Sequence, residues 1–352
     1  LVEPFRTSLA EIDTAKNIFV RVHSHGGLYG IGEARPNPVV TGETQETTFA
    51  AASLLAETIV GEPVHAIEAL TSTMERRLKK NSSAKSAIDI ALYDLLGKLT
   101  EMPVYALLGG KRRPIFTDHT VSIDDADVMA RKAREIQERG LRAIKVKLGG
   151  EKDEDVERIR RIREATGYEV ELRLDANQGW DYKTALAVLK ELEPFEIRYC
   201  EQPLAYWDSA HMGRLRDQTR IPIMADETLF AAHEAFRLAA DGCCDYFNIK
   251  LSKAGGITGG LKINTIGEAA GHACMIGCMT ESRLAMSAGA QLMTARPNIR
   301  FADLDGHTSM KSDPVLGGVQ YNGGEMLLPE APGHGADVDA EFLAGCERRV
   351  VE

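Results

Sequence analysis

Five charged residues recur along this chain at nearly constant intervals: Lys147, Asp175, Glu201, Asp226 and Lys250 are 28, 26, 25 and 24 residues apart. Each interval is the length of one strand-helix unit, so every charge falls at the same phase of a repeat. Three of the five are carboxylates, which raise each other's pKa when they face one another away from water without a counter-charge. A divalent cation supplies that charge. Oxygen donors without His or Cys select a hard ion with octahedral preference, here Mg2+, which keeps positions open for a substrate carboxylate and water. Asp175, Glu201 and Asp226 are therefore expected to be the metal ligands. The bland alternative makes each acid the N-cap of the next helix; it suits a single Asp better than three acids and two lysines in register.

Lys147 and Lys250 would stand four strands apart on either side of those acids, as the catalytic pair. A C–H beside a carboxylate is feebly acidic, and its loss builds a second negative charge as an enediolate, which a nearby cation stabilises. An ammonium close to a metal and another lysine has its pKa lowered from about 10.4, so one lysine can serve as the free amine. One base on each face of the carbanion takes the proton and returns it on the opposite face, giving racemisation or epimerisation. Lys145 reads as an electrostatic companion, and Lys253 falls in the following loop. Asp303 and Asp305, two residues apart at a strand end, point the same way and suit a free substrate ammonium. The competing reading is an Asx-turn pair before Gly306.

These residues need a scaffold that brings strand ends together. From about Pro114 onward, short β-rich runs alternate with amphipathic stretches. The strands are expected at Phe116 to Ser122, Ala143 to Leu148, Val170 to Leu174, Ile197 to Cys200, Ile223 to Ala225, Tyr246 to Ile249, Cys274 to Cys278 and Ile299 to Ala302. Helices fall at Ala126 to Arg139, Asp153 to Thr166, Lys183 to Leu192, Ala231 to Ala240 and Leu261 to Ala270. Eight strands with crossovers give an α/β fold, a modified (β/α)8 TIM barrel; an open doubly wound sheet is the alternative. Before it, Asn17 to His23 and Leu28 to Glu33 read as a hairpin around Gly26 and Gly27, followed by two or three helices, one over Ala84 to Leu99. The expected domains are an α+β N-terminal capping domain over 1–110, the barrel over 111–315, and a Gly- and Pro-rich tail over 316–352 that returns to the cap.

Composition sets the limits. With 44% hydrophobic and 27% charged residues the chain is neither disordered nor fibrous. The 52 acidic against 42 basic side chains give a net charge of −10, which disfavours nucleic acid as a partner. No apolar run reaches the roughly 20 residues of a membrane span, and the first residues lack a signal peptide's apolar core, so a cytoplasmic, non-membrane protein is expected. The absent initiator Met is read as a processed or truncated start. Six scattered cysteines suit reduced thiols. Gly255 to Gly260 lacks the Lys-Ser/Thr of a phosphate loop, and His233-Glu234 has no second His at zinc-protease spacing.

The runs Lys145-Val146-Lys147, Leu174-Asp175-Ala176-Asn177-Gln178-Gly179-Trp180, Cys200-Glu201-Gln202-Pro203, Met224-Ala225-Asp226-Glu227 and Asn248 to Gly256 closely resemble the enolase superfamily, and within it the muconate lactonizing enzyme subgroup. The resemblance covers about Pro4 to Gly335 and implies a capping domain, a modified barrel and Mg2+ on Asp175, Glu201 and Asp226. The subgroup also holds cycloisomerases, o-succinylbenzoate synthases and N-succinyl- or N-acylamino acid racemases. Ala302-Asp303-Leu304-Asp305 resembles the Asp-x-Asp of its dipeptide epimerases, such as the L-Ala-D/L-Glu enzymes, where the acids bind the substrate's ammonium. The resemblance thus implies an isomerase acting on a dipeptide, with Thr120, Cys278, Met279 and Thr280 lining the pocket, in a homo-oligomer. Specificity would lie in the capping loops Phe5 to Thr14 and Pro36 to Thr47. Where Ala-Glu epimerases have an Arg after a Pro-Phe-x-Thr stretch, this chain has Ala10 and then Glu11, which argues against that substrate. Glu11, Glu43 and Glu46 would instead favour a cationic or neutral second residue, unless they are solvated loop acids; His307 is either a loop residue or a substrate contact.

Overall fold

The computed structural model describes residues 1–352. At its N-terminus a short ribbon, β1 (Phe5–Arg6) and β2 (Glu11–Ile12), precedes the hairpin β3 (Ile18–His23) and β4 (Tyr29–Ala34). Helices α1 (Gln45–Ala56), α2 (Ile67–Arg77), α3 (Ser82–Thr100) and the single turn α4 (Val104–Leu107) follow. The Gly30-x-Gly32 pattern in β4 has a steric reason. A Cβ at either position would lie 2.0 Å from a carbonyl oxygen of α3, at Ala91 and Ala87, so only glycine lets that helix lie flat on the hairpin.

Eight parallel strands then run in sequence order through one sheet: β5 (His119–Val121), β6 (Ala143–Lys147), β7 (Glu171–Asp175), β8 (Ile197–Glu201), β9 (Ile223–Ala225), β10 (Tyr246–Lys250), β11 (Ala273–Gly277) and β12 (Ile299–Asp303). The Asp118 amide donates to the Ala302 carbonyl at 3.2 Å and draws the first strand toward the last. The fold is therefore a nearly closed barrel rather than an open sheet. Its crossovers are α5 (Ala126–Glu138), α6 (Lys152–Thr166), α7 (Tyr182–Leu192), α8 (Ser209–Gln218), α9 (Ala232–Ala240), the turn α10 (Leu251–Ala254) leading into α11 (Ile257–Ala270), and α12 (Arg283–Ala295). None of the helices is long and apolar enough to cross a membrane.

Alternation along the strands sorts side chains into two regions. Ile144, Val146, Leu172, Leu174, Ile249 and Ile276 join the large core beneath the helices. Tyr199, Met224, Ala273, Met275 and Phe301 form a separate cluster inside the barrel. One residue pair further along the same inward phase come Lys147, Asp175, Glu201, Gly277 and Asp303, with Lys250 ending β10 and Asp226 just past β9. The chemistry is the top inward layer.

Sequence periodicity overlooked α8 and α12. Twelve of the thirteen residues of α12 are buried, so it has no polar face and no amphipathic period to read. The β5 strand is shorter than its β-rich run because Phe116 leaves the barrel to bridge Glu325. The tail forms β13 (Val315–Gly317), β14 (Gln320–Asn322), β15 (Glu325–Leu327), β16 (Ala336–Val338) and α13 (Ala340–Ala344). It touches the N-terminal region where the His334 imidazole meets the Ile31 carbonyl at 2.7 Å and Val104 donates to Gly333. All six cysteines are free thiols.

Buried acids fasten the cap to the barrel. Asp89 of α3 accepts from the Thr258 amide (3.1 Å) and hydroxyl (2.6 Å) at the start of α11. Glu33 of β4 does the same for Ser282 and Ala285 at the start of α12. Burial pushes the Asp89 carboxyl up to about 6. A folded-state pKa above the unfolded value means the native state holds the proton more tightly, so this group's contribution to stability is full below about pH 4 and is lost as pH rises through 6. Asp89→Ala is expected to destabilise by about 1–3 kcal/mol, and Asp89→Asn to flatten the stability change between pH 4 and 7; urea unfolding at several pH values measures both.

Candidate functional site

Six of the eight strand ends deliver charged groups into a shared, buried mouth. Lys147 Nζ lies 2.6 Å from Asp175 Oδ2, Lys250 Nζ 2.8 Å from Asp226 Oδ2, and Lys145 Nζ within 3.0 Å of Asp175, Glu201 and Asp303. All these residues are buried, from 0% exposure at Asp175 and Glu201 to 6% at Lys147 and Lys250. The structure thus brings together every acid and lysine expected from the sequence. Gly277 completes the layer by omission: a Cβ there would stand 2.6 Å from Asn248 Oδ1 and 3.1 Å from Lys250 Cε. Gly277→Ala is expected to displace the Lys250 side chain and lower turnover at least about 10-fold while the protein stays folded, as steady-state rates beside a thermal melt would show.

Asn177, Gln202 and Asn248 lie inside the motif runs, but nothing in the sequence gave them a role of their own. Asn177, at a left-handed φ of 42 that Asn tolerates well, accepts from Lys147 at 2.9 Å and donates to Glu227 at 3.1 Å. Asn248 donates to Glu201 Oε1 at 2.8 Å, and Gln202 accepts from the Asp226 amide. Lys253 is not a loop residue: it lies in α10, is 2% exposed, and pairs with the Asp226 carboxylate. Asp305 takes the Thr120 amide at 2.7 Å and faces His119 at 3.8 Å, while the Thr120 hydroxyl reaches Asp303 at 3.4 Å. Cys278 Sγ and the carboxylate oxygens of Asp303 and Asp305 lie within 4.8 Å of one another. The Met279 amide is already donated to Glu281, so of the expected pocket backbone this N–H is unavailable to a ligand. His307 stacks on Tyr321.

The mouth holds six carboxylates, Asp175, Glu201, Asp226, Glu227, Asp303 and Asp305, against four ammonium groups, Lys145, Lys147, Lys250 and Lys253. The excess of two negative charges is what a divalent cation balances. Its effect is visible in the titrations. Burial, and then the neighbouring Asp175, push Glu201 up to about 8; burial and Asp226 push Glu227 up to about 7. Asp175 and Asp226, despite their burial, stay well below the usual carboxylate range because lysines adjoin them. Burial opposes the charge on Lys250, but Asp226 and Glu201 hold it above the ordinary lysine value. Glu201 Oε2 is buried against the Lys145 ammonium at 2.8 Å, and Glu227 Oε2 is buried with no hydrogen bond. Three oxygen donors on adjacent strand ends, with the unpaired Glu227 Oε2 beside them, fit a hard divalent ion. Mg2+ at a hundred times its Kd is expected to add about 2.7 kcal/mol of stability, seen as a rise in Tm that EDTA reverses and Asp226→Ala lacks.

The capping segment closes over these groups. Ser8 in the β1–β2 turn donates to the carbonyls of Ala176 and Asn177, both at 2.8 Å, and the Phe5 ring lies 5.7 Å from Lys147 Nζ. The three capping-loop acids divide. Glu43 is not a solvated loop acid: it is 6% exposed and accepts from the Ser83 amide and hydroxyl at the start of α3, so it is committed to the fold. Glu11 pairs with Arg6 at the surface, and Glu46 is exposed in the first turn of α1.

Residues 1–109 match the family described as mandelate racemase / muconate lactonizing enzyme, N-terminal domain, and residues 128–342 match the enolase C-terminal domain-like family. The chain belongs to the enolase superfamily. Among relatives of this superfamily member, a D-Ala-D/L-Ala epimerase of Cytophaga hutchinsonii is 41% identical over 99% of this chain and 95% of its own. An L-Ala-D/L-Glu epimerase of Bacillus subtilis is 37% identical over 98% and 95%. The Cytophaga hutchinsonii dipeptide epimerase complexed with Mg and D-Ala-L-Val superposes with a TM-score of 0.96, covering 98% of this chain and 94% of that one. The Enterococcus faecalis dipeptide epimerase complexed with Mg and L-Leu-L-Tyr gives 0.93 at 40% identity, covering 95% of each.

Proposed function

We propose that this chain is a Mg2+-dependent dipeptide epimerase that inverts the α-carbon of the C-terminal residue by a two-lysine 1,1-proton transfer. The observation that carries this reading is the placement of Lys147 and Lys250 on β6 and β10, at either side of the carboxylate triad, with Asp303 and Asp305 beyond them. Asp175, Glu201 and Asp226 would hold Mg2+, which when bound supplies positive charge to the substrate carboxylate as negative charge develops there. With Asp175 and Asp226 engaged as ligands, Lys147 and Lys250 would each lose their carboxylate partner, and one would serve as the amine base. One lysine removes the α-proton, and the other, still protonated, delivers a proton to the opposite face of the planar carbon. Asn177 fixes Lys147 for that task, and Lys145 holds Asp303 in place. Asp303 and Asp305 would receive the substrate's ammonium. The Phe5 and Ser8 turn keeps water from the carbanion.

The alternative within the same superfamily, an N-acylamino acid racemase or cycloisomerase, has no ammonium for Asp303 and Asp305 to bind. Incubation with Mg2+ and L,L-dipeptides in D2O, followed by proton NMR, tests the choice. Deuterium at the C-terminal α-carbon together with the second diastereomer is expected. Exchange of N-acyl amino acids without exchange of any dipeptide would overturn the reading.

A further inference from the structure

Eight lysines and arginines are buried in this protein: Arg35, Lys85, Lys145, Lys147, Arg163, Arg173, Lys250 and Lys253. Burying a cation is costly unless it is paired and hydrogen-bonded. Lys85 pairs with Glu75, Arg173 with Asp118 and Glu171, and the four lysines of the mouth with its carboxylates. Arg163 has no acid partner but donates to four backbone carbonyls, at Phe195, Gly167, Val170 and Glu196. Arg35 has no acid partner and donates to a single backbone carbonyl, at Pro36.

Its surroundings are those of a site. Arg35, 6% exposed, follows β4 directly and leans on the barrel mouth. Its Nε donates to the Thr280 hydroxyl at 2.8 Å, its Nη1 to the Pro36 carbonyl, and its backbone amide to the Ser252 hydroxyl at 3.2 Å. Thr280 belongs to the loop beyond β11, and Ser252 is two residues past Lys250. Nη2 has no acceptor in the chain, and no carboxylate lies within 4.0 Å of the guanidinium. Glu281, the acid whose charge acts on Arg35, is already occupied by the Ser252 hydroxyl and the Met279 amide, and burial pushes it up to about 7, so it is a weak counter-charge. A largely buried guanidinium with no protein counter-ion, held against the loop beyond β11 through Thr280, keeps its Nη2 edge open to an anion that the protein itself does not provide.

We infer that Arg35 is a specificity residue that selects dipeptides bearing a side-chain carboxylate, the substrate completing its ion pair. The inference rests on the dipeptide reading above and names the substrate class for that site. Two isosteric pairs test it, Ala-Glu against Ala-Gln and Glu-Ala against Gln-Ala, each assayed for kcat/KM and, by calorimetry with Mg2+, for Kd. The carboxylate member of at least one pair is expected to win by about 10- to 100-fold. Arg35→Met should erase that preference by weakening the acidic substrate alone, and Arg35→Lys, which keeps the charge, should retain part of it. Equal values within both pairs in the wild type overturn the inference, as does an equal loss on acid and amide in Arg35→Met, which marks a structural arginine. If dipeptides bind with the acid preference but none is turned over, the epimerase reading fails and the Arg35 inference stands. If no dipeptide binds, both fall.

Discussion

Lys250→Ala is expected to lower epimerisation by about 10^3-fold, within the 10^2–10^4 range that a positioned acid or base contributes, while leaving α-proton exchange on one diastereomer. The asymmetry follows from geometry. Lys147 and Lys250 stand on strands four apart with the carboxylates between them, so in the proposed mechanism each would reach one face of the α-carbon. With Lys250 removed, Lys147 still takes the proton on its own side and returns solvent deuterium to that same side. Exchange proceeds, and inversion does not. Lys147→Ala should show the complementary pattern, exchanging only the other diastereomer. Proton NMR of both diastereomers in D2O reads the two variants directly. Inversion at the wild-type rate in either would show that a single base serves both faces. Because each substitution also leaves a buried carboxylate, Asp226 or Asp175, with one partner fewer, a thermal melt should accompany the assay.

Asp303→Asn is the second large effect, expected to reduce kcat/KM for dipeptides by about 10^2-fold or more, mainly through KM. Burial would raise the Asp303 carboxyl, but Lys145, Lys147 and Lys250 outweigh it and keep the group ionised. It therefore offers a full negative charge. Asp305 differs: burial and its neighbour Asp303 raise its pKa, and it is tied to the Thr120 amide. Asp303 should thus contribute more of the attraction, and Asp305→Asn should cost less. An N-acetylated dipeptide, whose ammonium is gone, separates the electrostatic role from the structural one. It should be a poor substrate for the wild type and lose little more in Asp303→Asn. An equal fractional loss on both substrates would show that Asp303 serves only to hold Lys145, from which it lies 2.7 Å.

The two sides of the site differ in how they could be read. Lys147, Asp175, Glu201, Asp226 and Lys250 were legible because two periods coincide: alternation along a strand and the 24 to 28 residues of a strand-helix unit. Any residue in the inward phase at a strand end must reach the same mouth, whatever the packing around it. Asn177 and Asn248 share those strand ends, but an amide carries no charge to mark it, and only their bonds to Lys147 and Glu201 give them roles. Lys253 was misplaced because one turn of helix separates it from Lys250, and that turn folds it back onto Asp226.

What the sequence by itself determined is the barrel, the hairpin beneath α3 and the charged layer at the top of the strands, all set by local periodicity and steric rules. Tertiary structure alone decided that Glu43 is an internal helix cap and that α12 is a helix with no exposed face. It also decided that Arg35 meets Thr280, 245 residues away. The Arg35 pairing forms where the cap docks on the barrel. No repeat relates the two surfaces, so partners across that junction leave no pattern in the chain until both have folded.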